Sequence, residues 1–439
     1  MTVGGRVYWV GLVTAAMGCG GTQLAWYGHT PDRSRRVEVH QEGNAQWLAL
    51  DGRASRRYRF IAVDDLAFAP DGRRLAFAAE VGEHPERWSV VADFVEGRSW
   101  DGVAGLRFGP GGRRFAYAAL DGHRWQVVVD GVPERSHDEV DPGSVTFSPD
   151  GLRLGYVAED GGCSRAVIDG VSGPCSARVV GLAVADVASR DVTVVADAAD
   201  GNGAHVLVGS SPSVNLGSAR ELAVDRAVQH WAVVERALTG WRLVTDGREE
   251  ETFEEIGRVI WAPDERTVAY AARRDGAWHV VAGGRMGPPY TEVEKPVFSA
   301  HGSRVGYVAR DAGRSVVTVD DRIVWESASL ATGLTFSADG ARVAWVYKDG
   351  TTSVIAVDQD RYRFETAVER TLRFSHDGRH WAALVGSLAE RRLFLVVDGH
   401  TQLPFDTEEL FGSPNGDPGE RLGAWVSGEL ELYLAGRGS

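Results

Sequence analysis

The chain is short of lysine, cysteine and long apolar runs, and each shortage removes a class of protein. Lys295 and Lys348 are the only lysines, so arginine carries the positive charge, as in a GC-rich coding sequence. Acidic residues outnumber basic ones, 61 to 47, for a formal charge of −14. A phosphate binder needs a basic face, so no nucleic-acid partner is expected. The densest basic stretch is Arg53-Ala-Ser-Arg-Arg-Tyr-Arg59. Alternation along a strand would divide it between two faces, which suits a solvated edge better than a binding site. Three cysteines cannot build a disulfide framework. Cys163 and Cys175 flank the Asp169-Gly170 turn, near each other in a hairpin but not directly opposite. A disulfide in an oxidising compartment and two partly buried thiols both fit.

Catalytic motifs are missing too. There is no Gly-x-Ser-x-Gly elbow, no His-Glu-x-x-His, no Cys-x-x-Cys and no histidine pair at ligand spacing on one strand. Asn415-Gly-Asp-Pro-Gly-Glu420 lacks the acidic ladder of a calcium loop. His279 reads as a structural histidine. Adjacent carboxylates such as Asp64-Asp65, Glu254-Glu255 and Glu408-Glu409 would point to opposite faces of a strand and could not act together. The Glu249–Glu255 cluster reads as a solvated loop. No cofactor, metal site or catalytic residue is expected.

Residues 1–19 stand apart. Arg6 precedes an apolar run from Val7 to Met17, too short for a bilayer span of about 20 residues but suited to a signal-peptide core. Ala16-Met-Gly-Cys19 resembles the lipobox of bacterial lipoproteins, with Ala16 where that family prefers leucine. The resemblance implies acylation of Cys19 and attachment to a membrane through lipid alone. A plain secretory signal and a chance apolar start are the alternatives.

The remainder is one pattern rewritten. Val145-Thr-Phe-Ser-Pro-Asp-Gly151 leads into Leu154-Gly-Tyr-Val-Ala158 and Arg165-Ala-Val-Ile-Asp-Gly170: strand, turn, strand, loop, strand, turn. Aligned on the residue before the first turn, the anchors are Trp26, Phe68, Phe108, Phe147, Val184, Val224, Trp261, Phe298, Phe336, Phe374 and Phe411. They recur about every 38 residues, the length of a four-stranded blade. No stretch between them has a helical period, so the units are all β. Length alone, 439 residues, would suggest two or three domains, but repeats overrule that prior. The second strand alternates large and small, as in Phe115-Ala-Tyr-Ala-Ala119 and Val305-Gly-Tyr-Val-Ala309. Both faces are therefore apolar, and a bulky face can nest on a small one. A tryptophan recurs on the third strand (Trp88, Trp125, Trp241, Trp278), and repetition favours packing over a stacking site.

Phe-Ser-Pro-Asp-Gly followed by Leu-x-Tyr-Val-Ala resembles the TolB-like, WD-like β-propeller repeat of bacterial envelope proteins. The fold expected is an all-β propeller of about eleven four-stranded repeats. Eleven exceed the four to eight blades usual for one ring. The polar stretch Gly209-Ser-Ser-Pro-Ser-Val-Asn-Leu-Gly217 then suggests two tandem units, residues 20–218 and 219–439, with a single oversized or partly open ring as the rival. Residues just after Cys19 could complete the last blade. The missing catalytic motifs, the export signal and the broad surface of such a fold together suggest a non-catalytic extracytoplasmic scaffold. Its expected place is the periplasmic face or the outer membrane, or soluble in the periplasm or secreted. The resemblance implies an envelope protein as its partner. Peptides and glycans are further ligands, and the alternative class is a ring-centre enzyme acting on them.

Overall fold

The computed structural model describes residues 22–30, 35–82, 86–196, 203–209, 211–368, 371–387 and 392–405. Cys19, the Asn415 loop and the eleventh repeat from Phe411 lie outside the described residues. Within them are ten antiparallel sheets and no α-helix. Each sheet takes its strands in chain order, first beside second beside third beside fourth. In the seventh, eighth and tenth sheets the first strand is split into two short pieces on the same second strand. From Phe68 to Phe374 the anchors stand at the end of a first strand, with Val184 one residue beyond it.

Burial follows strand position. Second strands such as Leu75–Glu80 are wholly buried, first strands such as Gly102–Phe108 are half-buried throughout, and fourth strands such as Val95–Trp100 are largely exposed. First strands touch one another from the second sheet to the third and from the fifth to the sixth. Fourth strands reach the second strand of the following sheet, as from the third to the fourth and the sixth to the seventh. The sheets therefore converge at their first strands and splay at their fourth. These are the blades of a β-propeller.

Turn chemistry sets the register. In the third-to-fourth-strand turns Asp130-Gly131 and Asp169-Gly170, both residues have positive φ (51° and 82°, 50° and 76°). That is the two-residue turn whose twist matches antiparallel strands. The first turn is fixed by a buried hydroxyl: Ser148 Oγ donates to Asp150 Oδ1 at 2.6 Å and accepts the Arg153 N–H at 3.0 Å. Its glycine has φ 72° and approaches the preceding blade's turn, where a Cβ would lie 3.4 Å from the Gly111 nitrogen. Where the Ser-Pro-Asp-Gly turn is lost, other groups replace it. The fifth blade has a 3-10 turn, Ala188–Arg190. The sixth uses Asp225, which accepts N–H groups from Gln229 and His230 at 2.8 and 3.1 Å.

Blades meet large on small. Gly155 lies under Val184 and Leu182 of the next blade, and Gly306 under Leu334 and Phe336. A Cβ on Gly306 would meet Leu334 Cδ2 at 2.7 Å. Gly306→Val is expected to destabilise the chain by about 1–3 kcal/mol through overpacking, read as a lower urea midpoint at unchanged slope. Aromatic pairs add a second interblade contact. Tyr58–Phe77, Phe253–Tyr270 and Tyr290–Tyr307 meet edge to face at 6.0, 6.1 and 5.9 Å, each from a fourth-strand edge to the next blade's second strand.

Within the polar stretch before residue 218, Ser211–Leu216 is the outer strand of the fifth sheet, paired with Ala204–Val208. One apolar cluster, including Val194, Val206, Trp231 and Val233, joins the fifth and sixth blades. Period-two alternation of Ser, Val and Leu outweighs the polar composition there. The Glu249–Glu255 cluster is not a loop, because Arg248–Phe253 pairs with the third strand of its sheet. Residues 23–29 form the first strand of the first sheet.

Candidate functional site

The turn end of each blade is tied to the next by a device that the repeat motif does not display. Arg74, Arg114, Arg153, Arg304 and Arg342 each stand just before a second strand. Arg74 Nε donates to Asp93 Oδ2 at 2.8 Å, and Arg304 and Arg342 do the same to Asp320 and Asp358 at 2.8 Å. The other oxygen of that turn carboxylate accepts the first N–H of the second strand, as from Leu75 at 3.1 Å and Val343 at 3.0 Å. The guanidinium then crosses to the following blade: Arg304 Nη1 reaches Gly340 O and Arg342 Nη1 reaches Arg379 O, both at 2.8 Å. It also covers that blade's anchor ring, with Arg304 5.6 Å from Phe336 and Arg342 5.3 Å from Phe374. In the sixth blade His230 replaces the arginine, bonding Asp246 at 2.7 Å and stacking on Trp261 at 5.9 Å.

One link is reversed in sign. The fifth blade has Asp191 where its neighbours have arginine or histidine, and Gly209 near the place of the turn aspartate. Arg153 therefore holds two carboxylates, Asp169 at 2.8 Å and the buried Asp191 at 2.6 and 2.8 Å. The Asp191 hydrogen bonds, more than the cost of burial, raise the Arg153 pKa.

Turn carboxylates are acidified by the same local chemistry. Asp150, Asp339 and Asp377 have lowered pKa values because a serine hydroxyl donates to each, followed by a backbone N–H. A folded-state pKa below the unfolded value, about 3.9, contributes stability that is present above the unfolded value and lost as pH falls through the folded one. Stability should hold from neutral pH to about 4 and fall below it. The Asp150→Asn, Asp339→Asn, Asp377→Asn variant should show a shallower acid loss in pH-resolved melting.

The opposite end of the blades carries the tryptophans, all four half-buried. Trp88 meets Phe60 edge-on at 6.1 Å, and Trp241 lies under Arg220 and Arg236 at 4.4 and 5.3 Å. Trp125 packs on the cluster between the third and fourth blades. Buried His137 bonds Asp160 at 2.7 Å through Nδ1 and faces the Tyr156 hydroxyl at 3.4 Å through Nε2. Burial raises the pKa of Tyr156, as it does for Tyr117, Tyr270 and Tyr307.

No family model and no curated protein matches the chain. Among solved structures it is similar to a eukaryotic initiation factor, with 12% identity over 75% of this chain and 95% of that one and a TM-score of 0.41. The β-propeller domain of the Trilobed protease from Pyrococcus furiosus, which has an open velcro topology, gives 11%, 69%, 97% and 0.28. TolB from Acinetobacter baumannii gives 13%, 69%, 62% and 0.21. Such low scores carry no functional argument, and the fold rests on the sheets themselves.

The residues singled out by sequence fall apart in space or into packing roles. Cys163 and Cys175 are bonded to each other, with Cα atoms 5.2 Å apart, beside the bridge between Ser164 and Ser176. His279 is buried, with Nδ1 2.9 Å from Gly287 O. Glu249, Glu250 and Glu251 divide between Arg242, the Tyr270 hydroxyl and Arg274. In the basic stretch, Arg53 covers Phe94, Arg56 pairs with Glu96, Arg57 with Glu42 and Arg59 with Glu80. Among the described residues, no three or more His, Cys, Asp or Glu side chains could hold one metal ion. No described helix is long and apolar enough to cross a membrane.

Proposed function

We propose that the chain is a non-catalytic binding or scaffold module of the bacterial envelope, held at a membrane by lipid on Cys19, whose blade ends present a pre-formed surface to a protein partner. The observation that carries this reading is the use of the charged groups. The paired turn carboxylates and the arginines just before the second strands are occupied in joining strand to turn and blade to blade, as in Arg304 bridging Asp320 and Gly340. That chemistry stiffens a surface rather than working on a substrate.

Cross-linking in intact cells, then affinity purification and mass spectrometry, tests it. One or two envelope proteins recovered in stoichiometric amount support the scaffold. No specific partner, from abundant folded protein, contradicts it. For the anchor, Cys19→Ser should move the protein from the membrane to the soluble fraction, and a variant that stays membrane-bound overturns the lipid attachment.

A further inference from the structure

The fourth strands begin differently in the two parts of the array. In the second, third and fourth blades the first residue is Val95, Val132 and Val171, with 69%, 67% and 72% of each exposed. In the sixth, seventh and eighth blades the same position holds Arg248, Arg285 and Arg322, all exposed. None of these three guanidinium groups has a hydrogen bond, ion pair or ring contact among the described residues, in contrast to the paired clasp arginines. Arg226 and Arg266, in the first turns of the sixth and seventh blades, are exposed at the same end with side chains equally unengaged. Most nearby turn carboxylates are occupied, Asp246 by His230, Asp320 by Arg304, Asp321 by the Tyr307 hydroxyl and Asp264 by the Arg266 backbone N–H. Glu265, beside Arg266, is a further acidic group of this end. Five unpaired arginines thus gather at one end of consecutive blades in a protein of net charge −14.

We infer that the turn end of the sixth to eighth blades is a docking surface for an acidic segment of a partner polypeptide. Arginine presents a planar fork of donors matched to carboxylates, and one such fork per blade offers an extended peptide a row of contacts. An anionic bilayer is the poorer fit. A broad charged surface would face the acidic remainder of the molecule, whereas a short peptide senses charges within about one Debye length, roughly 8–10 Å. The inference rests on the scaffold reading and names the chemistry of its partner.

The test is fluorescence anisotropy of labelled octaglutamate and octaserine with the full chain at low and physiological salt. Octaglutamate should bind, octaserine should not, and binding should weaken as salt rises. Reversal of Arg248, Arg285 and Arg322 to Glu should reduce affinity about tenfold. Reversal of Arg73, Arg113 and Arg178, which changes net charge equally, should have a much smaller effect. Unchanged melting shows that the variants fold, and replacement of the same three arginines by Gln checks the loss without added repulsion. Absence of octaglutamate binding, equal loss in both reversals, or arginine-dependent binding to phosphatidylglycerol vesicles without octaglutamate binding would each overturn the inference. A cellular partner that survives the Arg248, Arg285, Arg322 reversal overturns it while leaving the scaffold reading intact.

Discussion

Arg153→Met is expected to lower stability by about 3–5 kcal/mol, the range for removing one partner of a buried ion pair. Asp191 is only 4% exposed, and Arg153 supplies two of its hydrogen bonds, at 2.6 and 2.8 Å. Asp191 keeps the Ala185 N–H at 2.9 Å, which cannot offset the burial of a carboxylate without its cation. Arg153 also loses its contact to Ala185 O at 2.8 Å, so the fourth and fifth blades separate at their turn ends. The double variant Arg153→Met, Asp191→Leu should recover most of the loss, because both charges leave together. Urea unfolding at constant slope reads both values. A single-variant loss under about 1 kcal/mol would show that Asp191 finds water or another cation.

Trp381→Ala should cost a similar amount, about 3–5 kcal/mol. The side chain is 1% exposed, sits in the cluster joining the ninth and tenth blades, and lies 4.9 Å from the Tyr362 ring. Its loss leaves a cavity that Ala344, Val357 and Leu372 cannot fill without moving strands pinned by Asp398, which binds the His380 ring and the Trp381 backbone N–H. Trp381→Phe keeps most of the volume and should lose clearly less. If Trp381→Ala costs under about 1 kcal/mol, the Asp398 contact, whose Trp381 N–H both variants keep, rather than the packing governs this interface.

The blades were legible in the chain because their signals are local. Leu154-Gly-Tyr-Val-Ala158 alternates, and Asp169-Gly170 takes the positive φ values that only a tight hairpin needs. The small-against-large rule also survives, in Gly155 under Val184 and Gly306 under Phe336. The clasp was not found, although its trace is there: Arg114 precedes Asp130, Arg304 precedes Asp320 and Arg342 precedes Asp358 at one constant interval. Each pair is separated by two strands, so the partners meet only once the sheet forms. Asp191 was hidden for a further reason. Its cation comes from the preceding blade, and no motif inside one repeat announces a sign reversal between two. The Glu249–Glu251 run misled through composition, since polar residues on an outer strand look like a loop until Arg242, Tyr270 and Arg274 occupy them. The docking row was invisible for the same reason as the clasp, because only the sheets bring Arg248, Arg285 and Arg322 to equivalent places.

Site-specific photo-cross-linking in living cells tests the central claim, that one end of the blades receives a protein partner. A photoreactive phenylalanine analogue would be placed at 248, 285 or 322 on the turn end, at 125 or 278 on the tryptophan end, and at 132 on the valine row. The account predicts one protein adduct common to 248, 285 and 322 and absent from 125 and 278. Adducts confined to the tryptophan end, or none at any position from abundant folded protein, would contradict it.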